Sequence, residues 1–188
     1  MKLKMITTAL VAVLSLSLSA EMKLGTVDLM LLVRNHPNYD SNKALLTSTD
    51  KDYQKKIEGI KSEGDKLQDE GKKLMEQLRN PMLAAKAKAG VEKELTDIQQ
   101  KLMGIEQRYR AEAMRCRQDL QDLEGRLLKA TTDDLRKRIA KFAVTNGYDL
   151  VLDLNAAAYA KPAFDITDEM LKGLGVDPKE AKGRDESK

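Results

Sequence analysis

Two heptad seams constrain this chain more than any other feature. Leu46, Tyr53, Ile57, Ile60, Leu67, Leu74 and Leu78 recur at alternating spacings of four and three, with Asp50, Gly64 and Gly71 at the missing positions. A second run takes Val91, Leu95, Ile98, Leu102, Ile105 and Tyr109, then Ala113, Cys116, Leu120, Leu123 and Leu127. A repeat of this period draws an apolar stripe down one side of an α-helix, and the stripe must be buried against another helix. Between Ile105 and Ala113 the spacing is four and four, a stutter that locally relaxes a supercoil. Good helix formers dominate residues 41–140, and Pro81 is the one proline there. It lies between the seams in "RNPML", where Asn80 can cap the next helix and Pro81 is tolerated in its first turn. The seams therefore predict an antiparallel hairpin over 41–140, with its tip at 79–83. Its first helix, roughly 41–79, would reach about 58 Å at about 1.5 Å per residue.

Gly64 and Gly71 sit on the seam, where each costs about 1 kcal/mol relative to Ala and supplies no knob. They fit either a close approach of the two helices or a soft distal arm that bends.

Short strand-like pieces flank the hairpin. "KLGTVDL" (23–29) precedes it and "YDLVLDL" (148–154) follows it. In the second, Tyr148, Leu150, Leu152 and Leu154 alternate with Asp149, Val151 and Asp153, the pattern of a strand with one buried face. Asn146-Gly147 before it is a helix stop. "NAAAYAKPAFDIT" (155–167) then leaves room for a short strand near Ala158–Ala160 and a turn at Pro162, and Thr167 has the character of an N-cap for a last helix over about 168–173. Residues 21–40 and 141–175 thus form a small β body into which the hairpin is inserted, an α+β chain. Two or three short strands bury too little apolar surface to stand alone, and their open edges invite a second copy. The residues leave the copy number open. The polar tail 176–188 reads as disordered.

The opening "MKLKMITTALVAVLSLSLSA" places Lys2 and Lys4 before an uncharged, mostly apolar run ending in small residues. This is the pattern of a cleaved secretory signal peptide over 1–20, with cleavage after Ser19 or Ala20, and the run is shorter than the ~20 residues of a membrane helix. No Cys follows for a lipid anchor. The expected location is the periplasm of a Gram-negative cell, where ATP is absent, and no phosphate-binding glycine loop occurs in the sequence. Cys116 is the only thiol and His36 the only imidazole, which excludes an internal disulfide and an ordinary Cys/His zinc site. Without Lys2 and Lys4, 31 basic residues face 30 acidic ones, a charge near +1 that argues against nucleic acid as a partner. Catalysis has no converging site. Asp149 and Asp153 share a strand face about 13 Å apart, beyond the roughly 5–9.5 Å of a glycosidase pair, and Cys116 holds a seam position far along the chain from His36. No cofactor is expected.

The block "YDLVLDLNAAAYA" followed by "DITDEMLKGL", with "KLGTVDL" and a signal peptide upstream, closely resembles the Skp (OmpH-like) family of periplasmic chaperones over residues 23–174. The resemblance implies a homotrimer whose strands build a small β-barrel body, with three helical arms around a cavity that holds unfolded outer-membrane proteins without ATP. Val27, Leu150, Leu152, Leu154 and Tyr159 are the residues expected in the oligomerising body.

Two groups on the arm are candidate contact residues. Residues 71–93 carry six basic side chains against two acidic ones, and Lys72, Lys73, Arg79, Lys86 and Lys88 form a basic tip. Such a tip is either a solvated helical face or a seat for acidic clients, anionic lipid or lipopolysaccharide. Met75, Met82, Leu83, Met103 and Met114 lie off the seam. They either fill gaps at the edge of the helix pair or offer a flexible, polarizable surface that fits many apolar sequences. The competing reading of the whole chain is a structural coiled coil or lipid-binding envelope protein that holds no client.

Overall fold

The computed structural model describes residues 22–183. The expected signal peptide lies outside them. The chain runs through a strand β1 (Leu24–Val27), a short helix α1 (Leu29–Arg34), two long helices α2 (Tyr39–Leu78) and α3 (Ala85–Asn146), a strand β2 (Leu150–Asp153) and a helix α4 (Thr167–Gly173).

Helices α2 and α3 form the hairpin that the two seams require. Gly64 lies beneath Ile105 and Gly71 beneath Ile98, so one heptad toward the tip on α2 matches one heptad back on α3. Most seam side chains are at least half-buried, and both glycines, Ile98 and Cys116 are buried. Tyr109 departs from this and is exposed. It is the middle residue of the four-four step, where the stripe runs ahead of the line facing α2. A Cβ at Gly71 would stand 3.6 Å from Ile98 Cγ2, an ordinary contact, so the helices are close but leave room for a methyl.

At the tip the structure corrects the expected cap. Asn80 Oδ1 accepts from Met82 N at 3.0 Å and so closes the turn, while α3 starts only at Ala85, with Ala84 before it and no side-chain cap. The asparagine is taken by the loop because Pro81 has no N–H of its own to offer it.

The longer helix α3 continues past the start of α2 and reaches the body, where Leu135 is fully buried among Leu31, Leu32, Val27, Ile166, Met170 and Leu171. Gly147, at φ 68°, ends α3 in the left-handed conformation, with Tyr148 N donating to Ala143 O at 2.9 Å. Strand β2 then lies parallel to β1, Leu24 opposite Leu150 and Val27 opposite Asp153. Lys23 fastens the junction. Its Nζ donates to Asn146 O at 2.8 Å, at the negative end of α3, and stands 4.2 Å above the Tyr148 ring. Helix α1 is an element that the sequence reading missed. Asp28 caps it by accepting from Leu31 N at 2.9 Å, but its run Leu29–Val33 is apolar throughout and carries no helical period.

Four other expectations about the body change. Residues 158–160 form no strand: Asp153 Oδ1 accepts from Asn155 N at 3.1 Å and turns the chain out of the sheet into single 3-10 turns at Leu154–Ala156 and Pro162–Phe164. The second edge of β1 is met instead by Asp165, with Ile166 N donating to Thr26 O at 2.9 Å. Thr167 is not the cap of α4 but its first residue; its hydroxyl accepts from Asp28 N at 2.9 Å, and Asp165 takes Thr167 N at the same distance. Residues 176–183 of the tail are folded onto the body, because Pro178 and Ala181 are buried and Val176 packs against the core.

The fourth change concerns the buried face of β2. Leu150 and Leu152 are 44% and 46% exposed, while Val151 packs on the core. The face toward the chain's own core is therefore the one the sequence reading placed outside. Val27 is buried in that core, Leu154 is half-buried, and Tyr159 is 79% exposed.

Candidate functional site

An arm built on two heptad seams has two flanks, and this one divides its chemistry between them. Residues one position before a seam residue fall on one flank; in an antiparallel pair this holds for both helices together. Lys56 and Glu112 stand in that position and are joined across the helices, as are Glu63 and Arg108. The Lys56 ammonium holds the Glu112 carboxyl below its ordinary range.

Residues one position after a seam residue fall on the other flank. Met75 follows Leu74, Met103 follows Leu102 and Met114 follows Ala113, and all three are exposed, Met114 to 75%. Met82 at the tip is 88% exposed, and Leu83 beside it is half-buried. Side chains this exposed do not fill gaps between helices. Leu128, which follows the seam residue Leu127, is exposed on the same flank and was missed by sequence reasoning. Its position is legible from the heptad register once the stutter is counted. From Met103 to Leu128 these side chains are spread over about 38 Å at about 1.5 Å per residue, with the Glu106–Arg110 ion pair between Met103 and Met114. Beside them, a groove of about 550 Å³ opens where Ala113 and Cys116 supply small seam residues, with Tyr53, Ile57 and Leu120 as its apolar walls and the polar Asp50, Gln54, Glu58 and Arg117 also lining it.

Lys72, Lys73, Arg79, Lys86 and Lys88 flank the turn between α2 and α3. Lys72 is paired with Asp69 at 2.8 Å, a hydrogen bond that raises the lysine pKa and lowers that of the aspartate. Among the described residues Lys73, Arg79, Lys86 and Lys88 are exposed and form no ion pair.

The residues considered for catalysis are each held in structural contacts. His36 is buried, with Nδ1 accepting from Asn38 N and Nε2 directed at Asp134 Oδ2, both at 3.1 Å. Acceptance at Nδ1 places the proton of the neutral ring on Nε2, which donates to Asp134. Cys116 lies in the seam, and burial pushes its thiol pKa up, away from thiolate chemistry. Asp149 Oδ2 accepts from Lys23 N at 2.7 Å, and Asp153 is spent on the turn after β2. Among the described residues no group of three His, Cys, Asp or Glu side chains is placed to hold a metal ion, and no helix is long and apolar enough to cross a membrane.

A comparison with curated proteins finds no match. The model of one protein family, outer membrane protein (OmpH-like), matches residues 23–174, from the residue before β1 to the end of α4. Strand, long hairpin, parallel strand and terminal helix all fall inside that match, and the chain belongs to the OmpH-like family.

Proposed function

We propose that this protein is an ATP-independent periplasmic holdase that keeps unfolded outer-membrane β-barrel proteins from aggregating. The observation that carries the reading is the asymmetry of the arm: ion pairs across the two helices on one flank, and on the other the exposed methionines and Leu128, with one Glu106–Arg110 pair among them, beside a groove with apolar walls. Methionine adapts its shape to many partners, which suits a surface that must accept unrelated unfolded segments. Membership of the OmpH-like family supports the class of client. The apolar face of Leu150 and Leu152, left open in the single chain, supports assembly of the body into a homotrimer, with three arms enclosing the cavity. The basic tip supports a second contact, with acidic clients or an anionic membrane surface, through Lys72, Lys73, Arg79, Lys86 and Lys88.

The test dilutes a denatured outer-membrane β-barrel protein into buffer with the wild type or with a variant carrying Gln at Met75, Met82, Met103 and Met114. Helicity and melting should barely move, since these side chains are exposed, while the half-time of client aggregation falls toward that without chaperone. Undiminished protection by a folded variant removes the methionine flank from the reading. If the wild type gives no protection but binds anionic vesicles, the protein is an envelope coiled coil instead.

A further inference from the structure

The segment Val176–Gly183 lies beyond the residues that the family model matches, and it folds back onto the root of the arm. At the corner where α1 gives way to α2 stands Asn35, buried and with three hydrogen bonds on its side-chain amide. Its Nδ2 donates to Leu31 O at 2.8 Å and to Lys182 O at 3.1 Å, and its Oδ1 accepts from Lys182 N at 2.8 Å. The amide of Asn35 thus reads the Lys182 backbone as a neighbouring strand would. Lys182 Nζ then reaches Asp40 Oδ2 in the first turn of α2 at 2.6 Å. Upstream, Pro178 and Ala181 are buried against the body that α4 helps to build. Downstream, Gly183 packs against the Arg34 side chain and has φ 80°, a backbone conformation that disfavours any residue with a Cβ. Three elements, α1, α2 and α4, are therefore tied at one point.

We propose that Val176–Gly183 is a strap that clamps the root of the arm to the body and limits the angle through which the arm swings. On the other side of the corner the arm is held by His36 against Asp134 and by Asn42 Nδ2 against Thr131 Oγ1 at 3.4 Å, both pairs joining the α2 side to α3 rather than to the body's end of the chain. Without the strap, the corner keeps its links to α3 and, through α1, its packing on α4, and loses the tail that ties Asn35 to Asp40.

Two variants test this in the full protein with Cys116→Ala as background: a chain ending at Gly175, and Ala181→Asp, which places a charge in the strap's buried seat. Spin labels at Ala87→Cys on the arm and Lys172→Cys on the body, diluted with unlabelled protein, report the distance distribution between arm and body. Hydrogen exchange reports the amides of residues 35–42. Both variants should broaden the distribution at least twofold and speed exchange at the corner at least tenfold, with helical circular dichroism kept. Unchanged distances and exchange in folded variants overturn the strap. Loss of the helical signal in both variants overturns it too, since the segment would then be core.

Discussion

At the scale of single residues, the corner beneath the arm depends on one carboxylate shared by two partners. Asp134 accepts from Arg138 at 2.6 Å and from His36 at 3.1 Å, and these hydrogen bonds, that of Arg138 first, lower its pKa below the ordinary 3.8. A carboxyl whose folded pKa is depressed contributes stability that is fully present above the unfolded value and is lost as pH falls through the folded one. Asp134→Asn should therefore melt below the wild type at neutral pH, and the gap should close as the buffer is taken below pH 3.8. Thermal melts of both proteins at pH 7 and pH 3 check the sign. Because Asp134 is partly solvated, the gap is modest.

The helices carry a reserve of stability that their glycines leave unused. Gly71 is buried beneath Ile98, yet a methyl there would make an ordinary contact at 3.6 Å. Gly71→Ala should stabilise the hairpin by roughly 0.5–1 kcal/mol, the helix propensity difference, and a higher urea midpoint with unchanged slope is the expected result. A fall would mean that the helices are packed too tightly for the added carbon. The helices are also where the sequence was most readable. The two seams predicted both rods, their antiparallel pairing and their turn to within a few residues, because a period sustained over many heptads outweighs any single residue. The same reasoning failed where elements are short. Four residues of β2 alternate equally well in either sense, and which face is inward is settled by where Leu135 and Ile166 stand, which no local pattern records. Likewise the order of the tail is not legible locally, because Lys182 is held by Asn35, more than a hundred residues upstream, and Ala181 by a core built from both ends of the chain.

For the whole molecule, the reversed face of β2 separates two properties that the sequence reading had joined. Had Leu150 and Leu152 formed the chain's own core, an aspartate at either would unfold the body and dissociate its copies together. With both leucines outside that core, Leu150→Asp should weaken the proposed self-association while the fold of each chain survives. Light scattering at micromolar concentration should show the mass fall, with helical circular dichroism at 25 °C retained. Loss of both signals at once would return Leu150 to the chain's own core. The candidate site shows the same division of legibility: the methionines were visible in sequence, but the flank they share, with Leu128 and the groove beside them, required the two helices to be set in register.

The parallel pairing of β1 with β2 also fixes an order of events in the life of each new chain. Leu24 meets Leu150 across nearly the whole length of the polypeptide, so the strand made first has no partner until the last part of the chain is made. At about 5–20 residues per second, some 6–25 s separate the two on the ribosome. In that interval the apolar residues of β1 and α1 are exposed in a chain that cannot yet close around them, and only the zipping of α2 against α3 brings the ends together. Each molecule is thus, while young, an unfolded polypeptide with an uncovered apolar segment, the same kind of chain its finished arms are proposed to hold.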